Sequence, residues 1–340
     1  MAASIPSTMR ASQWTSIPNS IEKSLKLNNN APLPKSAKSL GKDDTLVKVH
    51  YAALNPVDYK LPEAPIVGRV AISKPASPCM DFAGVVVKTS RSDLKPGQAV
   101  FGKTEPPLFG AMAEYLVAGR QGTIALPDGV KPEDAACVGV AGLTAYQCIV
   151  PNVKPGDKIF INGGSGGTGS FGIQFAKALG CEVTTTCSGP NVELCKSLGA
   201  DEVIDYRTQN VHETLKRSGK QFDHIVDFVG SPELYWQAHD FSKKGAKVVN
   251  VGATMSLDFF RRLLPIFILP GFLGGGKMKY EFLTCRAKED DFKQIAKWMA
   301  EGKVKPVIGE MFSLEEVPKA FEKLKTGRVR GKLVVKVSNQ

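Results

Sequence analysis

The chain has 340 residues, 43% hydrophobic and 23% charged, an ordinary globular balance with enough length for two cores. Its formal net charge of +11 would suit a polyanion, yet Lys and Arg alternate with acids along the chain, which reads as a generally basic surface. Seven cysteines form no CxxC pair, which argues against a disulfide frame or a zinc knuckle and for reduced, buried thiols in a cytoplasmic setting.

Met1 to Arg10 lacks the apolar core of a secretory signal, and Met9 to Trp14 already reads as a first strand. Thr45 to Tyr51 alternates apolar and polar residues, and further strands are expected at Gly84 to Lys88, Ala99 to Phe101 and Ala113 to Val117. Turn signals such as Lys95-Pro96-Gly97 and Pro127-Asp128-Gly129 separate these segments, as in an antiparallel, barrel-like domain. From Pro132 the period changes: a helix is expected over Glu133 to Ile149, with proline in its first turn. Strands at Lys158 to Asn162, Glu182 to Thr186, Glu202 to Asp205, Ile225 to Val229 and Lys247 to Val251 then join with helices at Gly169 to Leu179 and Asn191 to Leu198. Such a series builds a doubly wound parallel sheet. The most apolar stretch, Leu263 to Gly276, is short for a bilayer and broken by Pro265 and Pro270. With Arg261, Arg262 and Lys277 beside it, peripheral membrane contact stays open. Glu289 to Gly302 reads as a helix, and Gly331 to Val337 as a closing strand that returns to the first domain.

The strand Lys158 to Asn162 runs directly into Gly164-x-Gly166-x-x-Gly169 and a following helix. In this context Gly164 is expected to permit the tight turn, Gly166 to let backbone approach a diphosphate, and Gly169 to let helix and strand pack closely. The helix N-terminus offers free amides and the positive end of its dipole to the anion. An NAD site expects an acid at the end of the second strand, but Thr186-Cys187-Ser188-Gly189-Pro190-Asn191 has none. Ser188 and Asn191 can instead donate to a 2′-phosphate, so the expected cofactor is NADPH.

The stretch from Ile161 through Tyr206 resembles the medium-chain dehydrogenase/reductase superfamily, in its quinone oxidoreductase (zeta-crystallin-like) branch. Leu54 to Lys60, Asp81-Phe82-Ala83-Gly84 and Ala141 to Tyr146 fit the same branch in the same order. Gly274 to Tyr280 is most similar to the subgroup of the chloroplast-envelope quinone oxidoreductase homologue. The resemblance implies a GroES-like β-barrel catalytic domain over 1–132, completed by 303–340, and a Rossmann domain over 133–302. Carried over by position, it implies Ser165, Gly166, Gly167 and Thr168 at the diphosphate, and Ser188, Asn191 and Tyr206 at the 2′-phosphate. Val229, Val251 and Gly252 follow along the ribose–nicotinamide half, with Thr144 by the nicotinamide and Lys332 near the cofactor or the cleft edge. A homodimer is the family habit, with a monomer the alternative.

Zinc-dependent relatives draw Cys and His ligands from the loop corresponding to Asn55 and from the segment corresponding to Pro78 to Gly84. This chain has Asn55 and Met80-Asp81, with Cys79 one place off, so no metal is expected. Without a metal to polarise an alcohol, hydride transfer suits a carbon that is already electrophilic, such as an enone β-carbon or a quinone ring. Asn55, Tyr59 and Lys60 share one short loop that the family places beside the nicotinamide: Asn55 to fix ribose or donate to substrate, Lys60 to stabilise enolate charge, Tyr59 to relay a proton or merely to pack. Asp227, at the C-terminal side of a sheet strand, reads equally as a cofactor-cleft residue or a structural carboxylate. The leading function is NADPH-dependent reduction of an α,β-unsaturated carbonyl or a quinone with a bulky apolar body; a secondary-metabolite enoyl reductase is a variant of it. The alternative from another class is a weakly catalytic, NADPH-bound structural or RNA-binding protein, although no aromatic–basic motif points to nucleic acid.

Overall fold

The computed structural model describes residues 5–64, 67–251, 261, 264–266, 268–269 and 276–339. The chain divides into two compact units, Met1–Leu143 with Arg286–Gln340, and Thr144–Cys285. In the first unit β1 (Thr8–Gln13) pairs antiparallel with β2 (Lys26–Pro32), the short α1 (Ile21–Ser24) lying between them. β3 (Thr45–Ala53), α2 (Val57–Glu63), β4 (Asp81–Thr89), β5 (Ala99–Lys103), β6 (Tyr115–Ala118) and β7 (Thr123–Ala125) follow. The side chains of Val47, Val49, Phe82, Val86 and Val100 from β3, β4 and β5 enter one buried core with Trp14 and Phe321.

The helix expected over Glu133 to Ile149 is broken in two, α3 (Pro132–Ala135) and α4 (Leu143–Ile149), by a wide turn over Val138–Gly142. Asp81 supplies the reason: its buried carboxylate takes the Val140 amide at 2.8 Å, and a β-carbon on Gly139 would collide with it.

The second unit alternates β8 (Lys158–Asn162), α5 (Gly167–Ala178), β9 (Glu182–Cys187), α6 (Val192–Ser197), β10 (Glu202–Asp205), α7 (Val211–Arg217), β11 (Phe222–Asp227), α8 (Pro232–Gln237), β12 (Ser242–Asn250) and β13 (Lys279–Phe282). The six strands are parallel, in the order β10-β9-β8-β11-β12-β13. Each strand feeds two cores by simple alternation: Ile159, Ile161, Val226 and Val249 lie on one face, and Phe160, Ile225 and Val248 on the other. The strand order reverses between β8 and β11, the place where open α/β sheets bind ligands at their C-terminal edge.

The chain then rejoins the first unit with α9 (Glu289–Ala300), β14 (Ile308–Ser313), α10 (Val317–Lys325) and β15 (Lys332–Lys336). β15 sits between β14 and β3, completing the sheet β14-β15-β3-β4-β5-β7, and β6 also pairs with β3. The borders therefore fall at 143/144 and 285/286, not at 132/133 and 302/303 as expected. Packing of α9 explains the second shift: Phe292 meets Phe101 edge-on at 5.9 Å, and the Glu289 amide donates to Gln121.

Candidate functional site

The glycine turn joins β8 to α5. Its positive φ (+90°) falls on Gly163, not on the expected Gly164. Gly164 is required for a different reason, since a β-carbon there would strike the Thr185 hydroxyl. Gly169 must likewise stay bare beneath the Gly163 carbonyl. Around Gly166 only that carbonyl, at 3.7 Å, lies near where a β-carbon would be, so the backbone there is open to a ligand. α5 begins from Gly166 with no side-chain cap, leaving the amides of Gly167 and Thr168 at the positive end of a twelve-residue helix. A dinucleotide diphosphate fits this cradle.

At the adenosine end, the Asn191 amide reaches both Ser165 Oγ and Ser188 Oγ at 3.3 Å, so three of the expected residues converge. Tyr206 is exposed, and its backbone amide donates to the Cys187 carbonyl. The end of β9 is free of acids, but its neighbour supplies one that the sequence reading missed. Asp205 lies in register with Cys187, caps the next turn through the Arg207 amide at 3.0 Å, and brings Oδ2 beside Gly189. The signal was available: Asp205 ends the third strand of the same βαβαβ unit.

Three polar residues form the last rung of β8, β11 and β12. Asp227 is in register with Asn162 on one side and Asn250 on the other. Its buried carboxylate accepts from Asn162, from the amides of Val229, Gly230 and Ser231, and from Asn250. These bonds turn the chain after Asp227, which is why β11 stops two residues short of the expected Val229. Burial pushes the Asp227 pKa up, and the donors partly oppose that shift. Val229 is exposed, Val251 is half-buried, and Thr144 is buried at the start of this unit. Gly252 lies outside the described residues, as does most of Leu263 to Gly276. No described helix is long and apolar enough to cross a membrane.

In the barrel unit, Asn55 is 3% exposed and fully engaged. Its amide donates to Asp81 at 2.8 Å and to the Ala53 carbonyl at 3.3 Å, while its oxygen accepts from Lys332. No amide hydrogen remains for a substrate. Lys332, expected near the cofactor or the cleft edge, has its ammonium bonded to the Leu54 carbonyl at 2.8 Å and to Asn55, 3.6 Å from Asp81. Asp58 closes the Asn55 turn by accepting its amide at 2.7 Å. Burial, with the Asp81 charge beside it, pushes Asp58 up to about 7. Tyr59 packs on the barrel core with the Lys325 ammonium 5.1 Å over its ring, which favours a packing role. Lys60 is exposed as a side chain, though loss of water around its ammonium lowers its pKa.

A tetrahedral zinc needs three or four converging Cys, His or carboxylate ligands. Among the described residues no cluster of that kind occurs, and the Lys332 ammonium already serves the Asp81 carboxylate. The residues around Asn55 and Cys79 do not fit a zinc ion.

Residues 198–335 match the family model described as zinc-binding dehydrogenase, and residues 41–128 the alcohol dehydrogenase GroES-like domain. The chain is 49% identical to the trans-enoyl reductase pgmF of Aspergillus terreus, over 99% of this chain and 98% of that one. It is 32% identical to the chloroplastic quinone-oxidoreductase QR1 of Triphysaria versicolor, over 89% of this chain and 92% of that one. Among solved structures, the quinone oxidoreductase from Coxiella burnetii matches with a TM-score of 0.82 at 29% identity, covering 97% of this chain and 99% of that one.

Proposed function

The chain belongs to the medium-chain dehydrogenase/reductase family, in its quinone-oxidoreductase-like branch, and on that premise we propose that it reduces the activated C=C bond of an α,β-unsaturated acyl or carbonyl compound with NADPH. It is an oxidoreductase that works with a nicotinamide dinucleotide. The near full-length likeness to a trans-enoyl reductase carries the substrate reading. The preference for the phosphorylated cofactor rests on the acid-free end of β9 and on the Ser165, Ser188 and Asn191 cluster.

NADPH, when bound, would supply a hydride to the substrate β-carbon, and a proton from solvent would complete the reduction at the α-carbon. The protein's own part is to hold the diphosphate on the amides of α5, to seat the 2′-phosphate at Ser188 and Asn191, and to stabilise negative charge on the acyl oxygen. Lys60 is the residue of the barrel loop suited to the last task, since partial desolvation strengthens the pull of its ammonium on an oxyanion. Asn55 and Lys332 hold the loop from beneath, and Tyr59 anchors α2 by packing.

The test is NADPH consumption across enoyl thioesters, alkenals, cyclic enones and quinones, with NADH in parallel. The expected result is turnover of enoyl thioesters or enones, with NADPH preferred, and a loss of about tenfold or more in Lys60→Ala. Turnover of quinones alone would favour the second reading, which the Coxiella burnetii structure and the chloroplastic relative support. No turnover of any compound, or unchanged enone rates in Lys60→Ala, would remove the reading or the residue's role respectively. A homodimer, the habit of the family, is also proposed, to be checked by light scattering.

A further inference from the structure

Two parts of the second unit that are far apart in sequence are tied together by one unbroken series of hydrogen bonds. It starts in the glycine turn, where the Gly163 amide donates to Thr186 Oγ1 at 2.9 Å. The Thr186 hydroxyl donates to Asn162 Oδ1 at 2.6 Å, and Asn162 Nδ2 donates to Asp227 Oδ1 at 2.9 Å. Asp227 then gathers the loop after β11: Val229 and Gly230 on Oδ1 at 2.9 and 3.1 Å, and Ser231 on Oδ2 at 2.6 Å. Asn250, at the end of β12, closes the series on Oδ2 at 3.1 Å. Asp227 and Thr186 are each 1% exposed, so water cannot replace a bond lost between them.

Packing repeats the connection. The Val229 side chain lies so close to the Gly163 α-carbon that a β-carbon there would come within 2.8 Å of it. A shift of the glycine turn therefore presses on the loop after β11 through two independent contacts.

We propose that Asp227 is a positioning residue that couples the diphosphate turn to the Val229–Ser231 loop, so that both halves of the dinucleotide are held by one polar rung. The proposal rests on the NADPH reading above. It assigns no contact between Asp227 and the cofactor; the carboxylate acts through the amides it collects. Thr186 is the second member of the relay and should behave like Asp227, although it sits at the opposite end.

The experiment uses the full chain and two probes, NADPH and 2′-phospho-ADP-ribose, which keeps the diphosphate and lacks the nicotinamide. Each is titrated against wild type, Asp227→Asn and Thr186→Val, with thermal unfolding followed alongside. Thr184→Val serves as the control, because Thr184 lies on the same strand with a buried hydroxyl that makes no hydrogen bond. Both variants are expected to weaken NADPH about tenfold, equal to ~1.4 kcal/mol, while 2′-phospho-ADP-ribose weakens about threefold or less. The fluorescence of bound nicotinamide is expected to move toward that of free NADPH in both, and Thr184→Val to leave both constants unchanged. Equal weakening of the two probes in Thr186→Val would mean a local effect on the glycine turn and would overturn the coupling, even if Asp227→Asn fails to fold. Wild-type protein that binds neither probe would remove the cofactor reading itself, a separate outcome visible before any variant is made.

Discussion

The Asp205 carboxylate flanks Gly189 in the same turn that brings Ser165, Ser188 and Asn191 together. A 2′-phosphate seated there feels that charge, whereas the 2′-hydroxyl of NADH does not. Replacing Asp205 with Asn keeps an acceptor for the Arg207 amide and removes the repulsion. The ratio of NADPH to NADH affinity should therefore rise about fivefold in Asp205→Asn, the ~1 kcal/mol typical of an exposed charge pair, as read by fluorescence titration. An unchanged ratio would place the phosphate away from this turn. At this scale the motif glycines were legible because each spacing has a steric reason, yet the positive φ falls on Gly163, while Gly164 is kept bare by Thr185, one strand away, a contact that spacing alone does not show. Asn55 was legible as a residue of interest but not as a fully engaged one, since its partner Lys332 stands 277 positions later.

Helix α9 shows the same limit among whole elements. Its period is plain in the sequence, but its membership in the barrel unit depends on contacts across nearly two hundred residues. Arg91 makes one of them. Its guanidinium, 1% exposed, grips Asp93 with two bonds of 3.0 and 2.6 Å, donates to the Thr123 carbonyl at 2.6 Å, and lies 3.5 Å from Glu289 at the start of α9. That grip holds the Asp93 pKa down at about 2. Asp93 is 44% exposed and regains water when Arg91 is removed, so the cost of Arg91→Ala falls on the Thr123 carbonyl and on Glu289, which lose their donor, and should be about 2–3 kcal/mol. Arg91→Lys should recover little of it, because an ammonium cannot reproduce the fork. Denaturant melts check both, and a loss below about 1 kcal/mol in Arg91→Ala would show that α9 is held by apolar packing alone. The broken helix over Glu133 to Ile149 has the same origin: apolar spacing favoured one helix, and the buried Asp81 carboxylate, invisible to local pattern, took a backbone amide from its middle.

For the molecule as a whole, the two units carry buried titratable groups whose effects on stability run in opposite directions with pH. Asp58 in the barrel unit is raised from 3.8 to about 7. Between about pH 4 and 7 the unfolded chain has released that proton and the folded chain has kept it, so its stabilising share is complete below pH 4 and falls as pH rises. His224 in the second unit donates from Nε2 to the Cys148 carbonyl at 2.8 Å in a buried site, and burial pushes its pKa down to about 4. There the unfolded chain binds the proton first, so stability grows as pH rises from about 4 to 6.5. Asp58→Asn should therefore gain stability relative to wild type more at pH 8 than at pH 5. The cost of His224→Gln should be larger at pH 7 than at pH 5. Calorimetry at those pH values checks both, and parallel pH curves for variant and wild type would refute either assignment.

The placement of β15 also has a consequence for how the protein is made. Residues 144–285 form a contiguous unit that holds all its own strands, whereas β3 must wait for β15, whose Val334 and Val335 pair with Ala53 and Ala52. On a ribosome the later-made inner unit can close while the earlier-made barrel still lacks an interior strand. Until then the Tyr51–Ala53 end of β3, beyond its pairing with β6, offers a bare edge, so the half-built barrel is the stage of synthesis most in need of a chaperone.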